Sequence, residues 1–271
     1  MATMKVGLVG CGNIASDLCR AMADGEVQAE VAALHDVDPS KAERLRDQFK
    51  LNVPVCSLEE AVAAADFVVE CAVAAVVPEV VRAAARHNKD CLVMSLGGLM
   101  LHPDLFDTAR ESGILLRLPS GAICGLDGVR AGMQAGLDGV SLTTRKPPKG
   151  LLGAPYLAEQ GISLEGLTEP LVVFEGSALD AVKAFPANVN VAAALSMAGI
   201  GPERTRVRVI ADPAATTNSH EIRAHGAFGE LMAVTSNRPS PGNPKSSYLA
   251  SLSAVIELRA AAVVWGAARN D

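Results

Sequence analysis

Several things missing from the 271-residue chain limit what it can be. Its six cysteines include no Cys-x-x-Cys pair, which argues against a zinc site and makes a metal-free protein the expectation. It has no surplus of positive charge: 24 Lys and Arg stand against 30 Asp and Glu, a net charge of −6 with an isoelectric point near 5.4. A nucleic-acid partner asks for a basic domain, so none is expected. A small anionic ligand is still allowed, because local cations can outweigh a global balance. No apolar run reaches bilayer-spanning length without a break by Gly, Pro or charge, so no membrane partner is expected. The opening "MATMKVGLVGCGNIA" lacks the unbroken apolar core of a signal peptide, and its apolar residues alternate as in a strand. Thiols without a signal sequence point to a reducing cytoplasm. There is no internal repeat and no low-complexity tract.

What is present describes a folded protein of two modest domains. Hydrophobic residues make up 49% and charged residues 20%, which is a globular rather than a disordered balance, and the length exceeds most single cores. From Lys5 to Leu118 strand and helix patterns alternate. The strands are "KVGLVG", "EVAALHDVD", "DFVVECAV", "DCLVMSLG" and "ILLRLPSG"; helices of about ten residues separate them. This predicts βαβ units and a doubly wound parallel sheet. Past Gly121 the texture changes. "SLTTRKPPKG", "LVVFEG" and "RVRVIAD" read as strands, the last alternating Arg206 and Arg208 with Val207 and Val209, as in an antiparallel sheet with one wet face. "PANVNVAAALSMAG" reads as a helix starting at Pro186 and stopping at Gly199. In the longest helical pattern, which Lys245 opens, Leu249, Leu252, Ile256, Ala260 and Val263 recur at three- and four-residue steps. The expected fold is α/β: an N-terminal Rossmann doubly wound parallel sheet over 1–120, then a C-terminal α+β domain over 121–245 with a mainly antiparallel sheet. A C-terminal helix over 246–271 would pack back on the first domain.

Gly10-Cys11-Gly12-Asn13-Ile14-Ala15 fits the G-x-G-x-x-G/A pattern between a strand and a helix. Gly10 permits the tight turn, Gly12 lets backbone approach a pyrophosphate, and Ala15 allows close helix–strand packing. The start of the helix, at Asn13 and Ile14, stabilises the phosphate charge. The motif alone is weak, but Asp36 ends the second strand 24 residues past Gly12, where a carboxylate can accept hydrogen bonds from a ribose 2′-OH. That carboxylate would repel a 2′-phosphate, so NAD is expected over NADP. NADP use stays open, with Lys41 the nearest cation downstream. Ala72, at the end of "DFVVECAV", and Ser95–Gly98, at the end of "DCLVMSLG", lie where a cofactor runs along the sheet's carboxyl edge.

The second half holds "LPSGAICGLDGVRAG", "LTTRKPP", "FPANVNVAAALSMAG", "NSHEI" and "NPKSSYLASLSA". In that order these segments closely resemble the L-aspartate dehydrogenase family, which is related in fold to dihydrodipicolinate reductase and homoserine dehydrogenase. The likeness covers essentially the whole chain and is far more specific than the glycine loop. Ala15 stands where glycine is also common, a mild departure. The resemblance implies oxidation of aspartate by NAD to iminoaspartate, which water converts to oxaloacetate and ammonia. The reverse is reductive amination, and a supply of iminoaspartate to NAD biosynthesis is a further implication. It implies a homodimer or larger assembly, His220 as the catalytic histidine, and cofactor contacts from Ala122 and Asn190.

The residues themselves agree in part. An imidazole titrating near neutrality suits proton exchange with an amine or an attacking water. "TTNSHEI" would place His220 after a polar turn, in an exposed position before or at a strand start. A lone loop histidine is more often solvated or capping; the resemblance reverses that. His225, beside Gly226, reads as a structural turn residue. Asn190 suits the nicotinamide carboxamide and Asn188 a helix cap. A dicarboxylic amino acid calls for cations: Arg145 and Lys146 at a strand end, and Lys245. Two other readings stay open at this point. One is a homoserine-dehydrogenase-like or dihydrodipicolinate-reductase-like oxidoreductase. The other is a non-catalytic nucleotide sensor, which needs neither the histidine nor a dicarboxylate pocket.

Overall fold

A computed structural model of the chain describes residues 3–185 and 190–269, without the side chains of 243–245. The chain divides into two compact units, residues 1–119 with 251–271 and residues 120–250.

The first unit starts with β1 (Met4–Val9), α1 (Asn13–Ala23), β2 (Ala29–His35), α2 (Pro39–Gln48), α3 (Leu58–Ala63) and β3 (Phe67–Glu70). It continues with α4 (Val77–Arg86), β4 (Asp90–Val93), α5 (Leu96–Leu101), α6 (Asp104–Ser112) and β5 (Leu116–Arg117). Its sheet runs β2-β1-β3-β4-β5, with every pair parallel. A single parallel bridge, Leu34 with Val55, adds the beginning of a further strand position beside β2. The helices start where local chemistry says they should. Asp38 caps α2 by accepting from the Ser40 N–H, with Pro39 at its first position. Ser57 and Glu60 form a capping box on α3, and α6 stops at the left-handed Gly113. The segment after β4 departs from its expected strand, since Leu96 already opens α5. Val6, Leu8, Leu18, Leu34, Val69 and Leu92 make the centre of the core.

The second unit comprises α7 (Leu126–Met133), β6 (Leu137–Lys146), α8 (Pro155–Glu159), β7 (Leu171–Ser177), α9 (Ala178–Ala184) and α10 (Asn190–Ala198). Then come β8 (Arg206–Ala211), β9 (Asn218–Gly226), β10 (Gly229–Asn237) and the short pair β11 (Pro239–Ser240) and β12 (Asn243–Ser247). The sheet order is β10-β9-β6-β8-β7. β6 and β8 are parallel and the other three neighbours antiparallel, the mainly antiparallel sheet expected. Along β6 every second residue from Val140 to Lys146 is buried, with Val207 and Val209 of β8 buried beside them. Phe174 packs edge-on against both Tyr156 and Phe185, whose rings are tilted to each other, all three within 6 Å of one another. Pro186–Val189, where the helix start and the Asn188 cap were expected, lie outside the described residues.

The last helix, α11 (Tyr248–Ala267), corrects the sequence reading in three ways. It starts after Lys245, whose backbone belongs to β12. Its buried side is Ser251, Ala254, Val255, Leu258, Ala261 and Ala262, which join the core of the first unit. Leu252, Ile256 and Val263 of the predicted apolar stripe are exposed instead. The cause is that α11 is apolar nearly all round, so spacing could not choose a face. At 20 residues with a mean hydropathy of 1.5 it is also long and apolar enough, by length and composition alone, to cross a membrane, which the sequence reading had not found.

Candidate active site

In an open parallel sheet, ligands bind beyond the carboxyl ends of the strands where the order reverses, here between β1 and β3. That is where Gly10 and Ala72 meet. Gly10 has φ +95°, and a Cβ there would lie 2.6 Å from the Ala72 nitrogen, so only glycine fits. At Gly12 a Cβ would meet nothing within 4 Å: the space in front of the loop is open, and no side chain caps the N-terminus of α1. An open glycine face before an uncapped helix start, led by Asn13 and Ile14, is what a pyrophosphate needs. Asp36 is tied into the same loop. Its Oδ2 accepts from the Cys11 N–H at 2.8 Å and its Oδ1 from the Asp38 N–H at 2.9 Å, with Lys41 Nζ 4.0 Å away. A cavity of about 230 Å³ joins Gly10, Gly12, Asp36 and Ala72. Val37 and Val73, 81% and 61% exposed, line it too. Apolar side chains held in the open beside a carboxylate suit a base stacked next to its ribose. These residues fit a dinucleotide.

The floor beside Ala72 is Glu70, a fully buried carboxylate. Its Oε1 accepts from the Ala72 N–H and Ser95 Oγ, both at 2.8 Å, and its Oε2 from the N–H groups of Ser95 (2.9 Å) and Met94 (3.1 Å). Burial pushes its pKa up, and those four donors oppose the shift. Glu70 thereby locks the ends of β3 and β4 together.

In the second unit, β6 and β9 pair so that Thr144 lies opposite His220, and Thr144 Oγ1 is 3.0 Å from His220 Nδ1. Lys146 is two residues along β6 and so on the same face. The exposed histidine expected from sequence is corrected here: His220 is the third residue of β9 and only 3% exposed, and Lys146 is 6% exposed. Burial, helped by the charge of Lys146, brings the His220 pKa down to about 3. Burial also brings Lys146 down to about 8. Arg145 points to the opposite face, where its Nη1 binds Asp212 Oδ2 at 2.7 Å, so the two members of the expected Arg145–Lys146 pair stand on opposite faces of β6. His225 lies in β9 against Gly139, not in a turn. Ala122 is fixed through its carbonyl, which accepts from Thr235 Oγ1 (2.9 Å) and Asn237 Nδ2 (2.8 Å). Asn190 opens α10 and is exposed rather than buried. The Lys245 side chain lies outside the described residues.

Residues 127–261 match the family described as aspartate dehydrogenase, C-terminal, and residues 10–119 the homoserine dehydrogenase NAD binding domain. The chain is 47% identical to the L-aspartate dehydrogenase of Methanosarcina mazei over 260 residues, covering 94% of this chain and 96% of that one. It is 38% identical to that of Bradyrhizobium diazoefficiens, with coverage of 94% and 91%. The chain belongs to the L-aspartate dehydrogenase family. A crystal structure of aspartate dehydrogenase from Thermotoga maritima has the same fold (TM-score 0.69, 24% identity, covering 96% of this chain and 97% of that one).

Within this dehydrogenase fold, the sequence reading had passed over Glu70, Val37, Val73, Thr144, Thr235 and Asn237. Signals for some of them exist. In "NSHEIRAHG" the buried Ile222 and Ala224 alternate in phase with His220, and Leu142, Thr144 and Lys146 alternate likewise. Glu70 stands alone as a carboxylate inside the apolar run "FVVEC".

Proposed function

We propose that the chain oxidises L-aspartate with NAD to iminoaspartate, which hydrolyses to oxaloacetate and ammonia, and that it also runs the reverse reductive amination. The observation that carries this is the near-full-length identity to L-aspartate dehydrogenases of archaea and bacteria. The nucleotide loop supports it from the physical side, because its open glycine face and the placed Asp36 suit a dinucleotide with a free ribose hydroxyl. NAD supplies the hydride acceptor. Gly10, Gly12, Asn13, Ile14, Asp36 and Ala72 hold it, and the likeness to the aspartate dehydrogenases assigns Ala122 and Asn190 to the cofactor as well. Lys146 and His220, the buried polar pair on one face of β6 and β9, serve the dicarboxylic substrate. We further place the enzyme in the cytoplasm as a homodimer, with its iminoaspartate available to NAD biosynthesis. The exposed Met232 and Val234 on the edge strand β10 support self-association.

The test is spectrophotometric. Protein, NAD and a panel of L-amino acids are mixed and the reduced cofactor is followed. Aspartate alone should give a strong signal, and NADH should be consumed with oxaloacetate plus ammonia. Neither reaction occurring would refute the reading. Asp36→Ala should lower the ratio of NAD to NADP efficiency by about tenfold, the loss of a charge-assisted hydrogen bond together with a repulsion; an unaltered ratio removes Asp36 from the ribose.

A further inference from the structure

The constellation on β6 and β9 has an internal logic that the presence of a histidine does not supply. A buried hydroxyl must place its proton on an acceptor. For Thr144, which is buried in the strand, the acceptor in contact is His220 Nδ1 at 3.0 Å. With Nδ1 occupied as an acceptor, the neutral ring carries its proton on Nε2. His220 is then a fixed N–H donor and has no lone pair to offer at its outer nitrogen. The ionisable group on that face is its neighbour in register. We propose that Thr144, His220 and Lys146 work as one unit, in which Thr144 holds His220 as a neutral Nε2–H donor toward the substrate and Lys146 is the group that takes up the proton of the reaction.

This rests on the aspartate reading above. The substrate enters with an α-ammonium group. Lys146 as a neutral amine removes one ammonium proton and becomes an ammonium itself. The electron pair of the α-C–H bond leaves as hydride to NAD, the C=N bond forms, and the product is protonated iminoaspartate. One proton and one hydride leave the substrate, so charge and electrons balance. Neutral imidazole donating from Nε2 steadies the carboxylate of the same molecule without a proton change.

The surroundings of Lys146 favour this division. Among the described residues, His220 is the titratable group beside it on β9. Past the end of β8 stands Asp212, whose carboxylate is already held by Arg145 and the Ala214 N–H. The lining shared by Thr144 and Lys146 is otherwise apolar: Leu151, Phe185, Val191, Ala192 and the valines of β8. A lysine in such a place titrates near 8, where the neutral amine is populated at modestly alkaline pH, whereas His220 stays neutral across the whole working range.

Two readouts test it, one independent of turnover. Nitrogen-15 NMR of histidine-labelled protein should show His220 as the neutral Nε2–H tautomer from pH 6 to 9. Thr144→Val should mix the tautomers and Thr144→Ser restore the single one. In carbon-13 spectra, a lysine Cε signal absent from Lys146→Arg should titrate near pH 8. An Nδ1–H tautomer or an imidazolium in that range, or a Lys146 signal that does not titrate below pH 10, overturns the proposal even if aspartate is not the substrate. In kinetics, kcat/KM for aspartate should rise with pH through about 8. Lys146→Arg should abolish that limb and lower kcat by about 100-fold or more. His220→Gln should lose rate but keep the limb, and Thr144→Val should lower kcat with NAD affinity unchanged. A limb that survives Lys146→Arg and vanishes in His220→Gln makes histidine the base and overturns the assignment. Wild-type protein silent toward aspartate refutes the function proposed above and leaves the two NMR results to decide the unit.

Discussion

Burying two basic side chains next to each other couples the stability of the second unit to pH. The folded-state pKa of His220, about 3, lies below its ordinary 6.5. As pH falls from 6.5 toward 3, the unfolded chain takes up a proton that the folded chain refuses, so stability declines through that window. Between pH 7.5 and 5.5 the loss should be about 1.4 kcal/mol, and His220→Gln should remove that part of the slope in urea titrations. Lys146 works over a different range. Its pKa is lowered from 10.5 to about 8, so between those values the folded chain has shed a proton that the unfolded one keeps, and stability rises with pH. Below pH 8 the buried charge is a standing cost. Lys146→Met should therefore stabilise the protein at pH 7 by about 2–3 kcal/mol while removing activity; a destabilised variant contradicts the burial account. His220 stands out in the sequence through the motif that holds it. Its burial was legible only through the phase it shares with Ile222 and Ala224, which a polar setting of Thr216–Ser219 disguises. Asn190, Arg145 and Lys146 show the same limit: a residue type suggests chemistry, but strand phase decides which face presents it.

The glycine loop separates backbone needs from ligand needs within three residues. Gly10→Ala forces a Cβ against the Ala72 backbone at φ +95° and should destabilise the first unit by about 3 kcal/mol. Gly12→Ala meets nothing in the protein and should leave the denaturation midpoint almost unchanged. It should nonetheless weaken NADH binding, read by fluorescence titration, by about tenfold or more, because the methyl stands where the pyrophosphate approaches. Binding that matches the wild type would move the phosphates elsewhere. Elements of this kind were the most legible part of the chain: the strands of the parallel sheet are apolar runs closed by turn residues, and the caps at Asp38, Ser57 and Gly113 are local chemistry. Helix α11 was the least legible. Apolar residues on both of its sides leave the choice of buried face to long-range packing, and no spacing rule contains that information.

The division into two units uses the chain unevenly. The first is assembled from two separated stretches, and α11 from Ser251 onward contributes Ala254, Val255, Leu258, Ala261 and Ala262 to its core. Arg259 anchors the helix to Glu26, its Nε donating to the carbonyl at 2.8 Å, and Arg117 pairs with Glu257 at 3.6 Å. Ending the chain after Ala250 should abolish NADH binding and the unfolding transition of the first unit while the second keeps its β-sheet signal in circular dichroism. A truncated protein that still binds NADH would show the helix to be dispensable. The Rossmann half of the fold was evident from the order of elements, but its dependence on residues some 130 positions away was not, since no pattern in residues 1–119 reports a missing layer.

That discontinuity reverses the usual order of events on the ribosome. Domains ordinarily become complete in the order in which they are made. Here the stretch from Ser120 to Ala250 has emerged in full before the helix that finishes the first unit exists. The nascent nucleotide domain must therefore wait, with the apolar sites for Val255 and Leu258 uncovered, while a whole second unit is synthesised. The core behind the glycine loop is complete only once synthesis has passed Ala262, so a bound dinucleotide reports that the second unit has already been made.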